Sequence, residues 1–60
     1  MSVHENLENQ YQIYLAESKR FEEKGIKASA TRARKALAEM CRLCKERRAE
    51  IQEAREKLED

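Results

Sequence analysis

Apolar residues along this chain fall into two runs of helical spacing divided by one glycine. Over the first run, from about residue 3 to 24, Leu7, Tyr11, Tyr14, Leu15 and Phe21 recur at steps that keep them on one helical stripe. Beyond Gly25 the pattern is cleaner: Ala30, Ala33, Leu37, Met40, Cys44, Arg47, Ile51, Ala54 and Leu58 alternate steps of three and four. With Leu37 at heptad position a and Met40 at d, that is a coiled-coil seam with one polar intruder, Arg47. Gly25 sits where a left-handed cap residue belongs, since glycine alone reaches positive φ without steric cost. Phe21 and Ile26 flank it at the positions whose side chains meet in a Schellman cap. The expected fold is all-α: a single domain over residues 1–60, built as a two-helix antiparallel hairpin with a longer second helix. Its parts are a helix over about 3–24, a turn over about 25–29 and a helix over about 30–58.

The lengths are unequal, and this suggests a partner. A helix of about 30 residues spans on the order of 45 Å and the first only about 30 Å, so the stretch from Arg47 to Leu58 outruns its neighbour. A second chain is the natural cover, and the chain is expected to form a homodimer as a coiled coil or helical bundle. Leu37, Met40, Cys44, Ile51 and Leu58 are the candidate core and dimer seam. Composition agrees. Only ten of 60 residues are Leu, Ile, Val or Phe, whereas Ala, Glu, Lys, Leu and Arg fill 37. With no proline and one glycine, little interrupts a helix, but an isolated pair this poor in large apolar residues struggles against its ordering entropy.

Several classes fall away. No apolar run approaches 18 residues, and MSVHENLENQ lacks the basic-then-apolar order of a signal peptide. A cytoplasmic chain with reduced thiols is expected, and no membrane partner. Sixty residues of helix leave little room for a water-excluding pocket, so no enzyme, cofactor or small-molecule substrate is expected.

Thirteen cations against twelve acids look neutral, yet position separates them. Residues 1–18 carry −3, residues 19–35 carry +5 and residues 36–60 carry −1. Lys27 to Lys35 holds four cations and no acid. This is the wrong sign for a helix N-terminus, whose free N–H groups favour Asp or Glu in the first turn. No capping-box glutamate stands three residues after Ser29 or Thr31. A phosphate resolves the conflict, because N–H donors, hydroxyls and guanidinium groups then face one anion. Lys27, Ser29, Thr31, Arg32, Arg34, Lys35 and Arg42 are therefore the candidate phosphate-binding residues. In the heptad frame Arg34, Arg48 and Arg55 fall on e, Lys35 and Arg42 on f, and Lys45 on b. Glu39, Glu46, Glu50 and Glu53 line the other flank. The alternative is a mixed-charge face that solvates a long helix through i,i+4 pairs such as Glu53–Lys57.

The stretch Lys24-Gly25-Ile26-Lys27-Ala28-Ser29-Ala30-Thr31-Arg32-Ala33-Arg34-Lys35-Ala36-Leu37 resembles the bacterial histone H1-like proteins, small nucleoid proteins of the chlamydial type. Their signature places Gly, Lys-Ala and Thr-Arg-Ala-Arg-Lys-Ala in this order between two helical segments. The likeness extends loosely from about Leu7 to Glu53. It implies a nucleoid-associated protein that binds and compacts double-stranded DNA without sequence specificity, with Lys27, Thr31, Arg32, Arg34 and Lys35 as the residues to carry over. Ile26 and Ala30 stand where members often have Asn and Gly. Chlamydial members also carry a long Lys/Ala-rich tail, whereas this sequence reads Glu-Lys-Leu-Glu-Asp over residues 56–60. A tail-less variant is expected to bind through its helical part alone.

Other residues invite chemistry. Cys41 and Cys44 have the spacing of a metal or redox pair, but are read first as small hydrophobes on the seam. His4 has no Asp or second His near it from which to build a catalytic set. Tyr11 and Tyr14 suit core packing better than base stacking. The readings left open are a DNA-binding nucleoid protein, a coiled-coil module whose partner is another protein, and a helical regulator built on the two cysteines.

Overall fold

A computed structural model describes residues 1–58 as two helices, α1 (Val3–Lys24) and α2 (Lys27–Leu58), packed as an antiparallel hairpin. The molecule is a rod, 54 × 17 × 13 Å. No helix among the described residues is long and apolar enough to cross a membrane.

Each end of α1 is closed by a local device. Ser2 forms a capping box: its hydroxyl accepts the Glu5 N–H at 3.0 Å, and the Glu5 carboxylate accepts the Ser2 N–H at 3.0 Å. That pair holds the Glu5 carboxyl below its ordinary value of 4.5, chiefly through the backbone hydrogen bond from Ser2. At the other end Gly25 adopts φ 63° and ψ 30°, and its N–H donates to the Phe21 carbonyl at 2.8 Å. This single bond defines the simpler αL cap rather than the Schellman arrangement expected from Phe21 and Ile26.

The turn is shorter than the sequence suggests. Its second helix begins at Lys27, not near residue 30, because Ile26 already offers its carbonyl to Ser29 at 3.1 Å and Ala30 at 3.2 Å. Lys27 and Ala28 are sound helix formers, so the helix starts directly after the cap. Ser29 thereby falls inside the first turn.

The interior is small. Ser29, Ala33, Ala36 and Leu43 are the buried residues of α2, with Ala30, Glu39, Met40 and Arg47 half-buried, and α1 buries none fully. The four buried positions are d and g of the heptad, not a and d. At about 100° per residue the contact face is turned by roughly 60° from the expected seam. Met40 faces α1 as expected; Leu37 and Cys44 do not, and both are exposed. Ile51 and Leu58, expected to meet a second chain beyond the end of α1, are exposed as well. Leu37 and Cys44 yield because their neighbours Ala36 and Leu43 pack a small-then-large pair against α1. On α1 the inward row runs Val3, Asn6, Leu7, Gln10, Tyr14 and Glu17, all half-buried. Tyr11, Leu15 and Phe21 are exposed, contrary to the expectation of a packed stripe. Tyr11 stacks instead on Tyr14, ring centroids 6.4 Å apart.

Two substitutions check this account by urea denaturation. Gly25→Ala introduces a Cβ that meets no atom within 4 Å. Its cost is therefore backbone strain alone, about 1 kcal/mol. Leu43→Ala empties the one large side chain of the core and is expected to cost about 2 kcal/mol or more.

Candidate nucleic-acid interface

The basic corner is built from the first turns of α2, but its seven candidate residues do not act alike. Ser29 is fully buried against α1. Its hydroxyl oxygen accepts from Arg32 Nη2 at 3.4 Å, and the hydroxyl stands near enough to the Glu17 carboxyl to lower its pKa. Ser29 is thus an internal link and not a surface phosphate donor. Thr31 is exposed, but its hydroxyl donates back to the Lys27 carbonyl at 3.3 Å, the local bond that helical threonines make. Neither hydroxyl offers its proton outward, which corrects the expectation that both would face a phosphate.

Arg32 and Arg42 are also engaged. Arg32 Nε lies 3.1 Å from Glu17 Oε1, an ion pair that ties α2 back to α1. Glu17 Oε1 is shielded from solvent and meets the guanidinium as a charge contact, without hydrogen-bond alignment. The Glu17 carboxyl is held below its ordinary value of 4.5, first by the Ser29 hydroxyl and then by the Arg32 guanidinium, with Arg20 adding charge and desolvation opposing them. Arg42 is gripped within its own helix. It donates to Glu39 at 2.6 Å through Nε and to Glu46 at 2.9 Å through Nη1, and Glu39 also takes Nη2. Both arginines keep part of the guanidinium in solvent, yet each is already neutralised.

Lys27, Arg34 and Lys35 are different. All three are exposed and carry no ion pair among the described residues. Helical periodicity places Lys27 and Arg34 on the side of α2 directed away from α1, where Lys45 joins them two turns beyond Ala38, and Lys35 on the adjoining flank that borders the groove. The result is a spine of unneutralised cations from Lys27 to Lys45, about 27 Å long at 1.5 Å per residue. Its upper end coincides with the α2 N-terminus, where the Lys27 and Ala28 N–H groups precede the first helical bond and the cap residue Ile26 has no side-chain acceptor. Lys45 was legible from its b position; only its separation from the acidic flank marks it as part of the spine. Glu17 had a subtler signal: it stands eight residues before Gly25, and Arg32 seven after it, the symmetric placement that brings two residues together across a hairpin turn.

The acids gather on an adjoining side. There Asn6, Asn9 and Ile13 of α1 face Lys35, Glu39 and Arg42 of α2 across an open groove of about 520 Å³. Arg47 points near α1 and pairs with Glu50 at 3.0 Å. Cys41 and Cys44 are exposed free thiols. Among the described residues no three His, Cys, Asp or Glu side chains converge as metal ligands. His4 lies 3.5 Å from Glu8 on the outer surface of α1.

The link between the helices has a pH signature. A carboxyl whose folded pKa is depressed contributes stability above its unfolded value and loses it as pH falls through the folded one. Stability should therefore decline below pH 4.5 through both Glu17 and Glu5. Glu17→Gln removes the first contribution, so thermal melts followed by circular dichroism should show a smaller drop in Tm between pH 6 and pH 3 than in the parent. An equal drop would mean that the link adds nothing.

The family model described as histone H1-like protein Hc1 matches residues 1–57. No curated protein and no solved structure matches the chain.

Proposed function

Because the chain belongs to the histone H1-like Hc1 family, structural DNA-binding proteins of the nucleoid, we propose that it binds double-stranded DNA without sequence specificity through backbone phosphates and so contributes to organising or compacting the chromosome. The observation that carries this reading is the row of Lys27, Arg34, Lys35 and Lys45, which make no ion pair among the described residues, whereas Arg32, Arg42 and Arg47 of the same helix are each held by a carboxylate. Fixed cations left unpaired along about 27 Å of rigid helix are placed to exchange water and small ions for phosphates. The α2 N-terminus adds N–H donors at one end of the spine. No set of amide or guanidinium groups converges to read base edges along it, so binding rests on charge.

Arg32 and Arg42 take a secondary part. Each can reach a phosphate only by sharing its guanidinium with a carboxylate, or by leaving it. Ser29 and Thr31 serve the helix and not the ligand. The protein acts as a homodimer, which gives each assembly two spines and converts weak single contacts into multivalent ones.

Fluorescence anisotropy on random-sequence duplex across a salt series tests the reading. Four phosphates neutralised per protomer correspond to a log–log slope of roughly −3 to −4, at about 0.9 per phosphate. Changing Arg34 and Lys35 together to Ala should flatten the slope by about 2, whereas Arg42→Ala should change it by less than one unit. Releasing Arg42 by Glu39→Gln with Glu46→Gln should steepen it. Absence of binding even at about 50 mM salt would remove DNA as the partner and leave a protein-interaction module.

A further inference from the structure

Three sulfur-bearing side chains gather in the middle of α2. Met40, Cys41 and Cys44 fall within about 100° of arc and about 6 Å of rise on one helix, with Cys44 between the other two in rotation. Both thiols are free and exposed, and Met40 is half-buried beside them. The DNA binding proposed above uses none of the three.

Helix geometry decides what the two thiols can do. Residues three apart on a continuous helix hold their Cβ atoms about 5–6 Å from each other. A disulfide requires about 3.5–4.5 Å, so the pair cannot close one while this turn stays helical. An ion set between the sulfurs removes the obstacle. Metal–thiolate bonds of about 2.3 Å on opposite sides of an ion place the sulfurs about 4.6 Å apart, which suits the wider Cβ spacing. Met40 stands four residues before Cys44, the other spacing that sets side chains next to each other on a helix, and its flexible stem can bring the thioether to the same ion.

Ligand softness and number select the ion. Structural zinc takes four ligands, and among the described residues no three His, Cys, Asp or Glu side chains converge to begin such a set. Monovalent copper accepts a lower coordination number and favours thiolate and thioether donors. Charge agrees with that choice, because two thiolates around a monovalent ion leave one negative charge. Lys45 stands four residues after Cys41 and Arg48 four after Cys44, where each lies beside its thiol. No acid stands three or four residues from either cysteine, although Glu39, Glu46, Glu50 and Glu53 crowd the same helix.

We propose that Met40, Cys41 and Cys44 form a monovalent-copper site, with two thiolate ligands and a thioether as the third. Binding exchanges two thiol protons for the ion and transfers no electron. The site is independent of the proposed DNA binding, and failure of either leaves the other standing.

Anaerobic titration of the full chain with copper(I), supplied as its acetonitrile complex and competed by bicinchoninate, tests the site. One ion per chain is expected, with a thiolate-to-copper charge-transfer band in the ultraviolet and only sulfur neighbours at the ion by X-ray absorption. Cys41→Ser and Cys44→Ser should each release the ion to the chelator. Both alter exposed side chains, and circular dichroism checks that the helix is kept. Met40→Leu preserves the apolar contact with α1 and should weaken binding about tenfold, equivalent to about 1.4 kcal/mol. Transfer of all copper to bicinchoninate by the parent protein, or its retention by either cysteine variant, overturns the proposal. So does one ion per two chains, which would mean ligands drawn from two copies. Unchanged affinity in Met40→Leu, or zinc bound as tightly as copper(I), overturns the three-sulfur site equally.

Discussion

Ser29, Ala33 and Ala36 present almost no side chain toward α1, and that smallness governs the rest of the molecule. Interaxial distance follows the side chains at the contact, so three small residues in successive turns draw the helices together along the corner half of the hairpin. Leu43 fills the space that opens toward the other end. The close approach brings Glu17 of α1 within reach of Arg32 on α2 and seals the Ser29 hydroxyl between them. It also displaces the larger residues. Leu37 cannot occupy the contact that Ala36 already fills, so the a-position row is pushed to one side and exposed.

The parts of this arrangement visible in the sequence were those set by single residues or by length. Gly25 divides the chain because positive φ belongs to glycine, and the structure places it at φ 63°. The all-α hairpin followed from periodicity and from the absence of other breakers, and the inequality of the helices from counting. What the sequence did not reveal depended on competition between faces. In an Ala-rich helix the steps of three and four are satisfied by d and g, through Ala33, Ala36, Met40 and Leu43, as well as by a and d. Hydrophobicity favours the second choice and close packing the first. On α1 the same competition turned a polar row of Asn6, Gln10 and Glu17 inward, which a search for apolar stripes passes over.

For the candidate interface, the location of positive charge was legible and its availability was not. Residues 27–35 were marked by four cations at a helix start. Which of them are free depends on the carboxylates that the fold brings near: Glu17 from the other helix for Arg32, and Glu39 and Glu46 from adjacent turns for Arg42. The near-zero net charge is therefore uninformative about a polyanion. Internal pairs contribute little to ion release, because their charge is already balanced in the free protein. In the proposed DNA binding, Lys27, Arg34, Lys35 and Lys45 would contribute nearly in full.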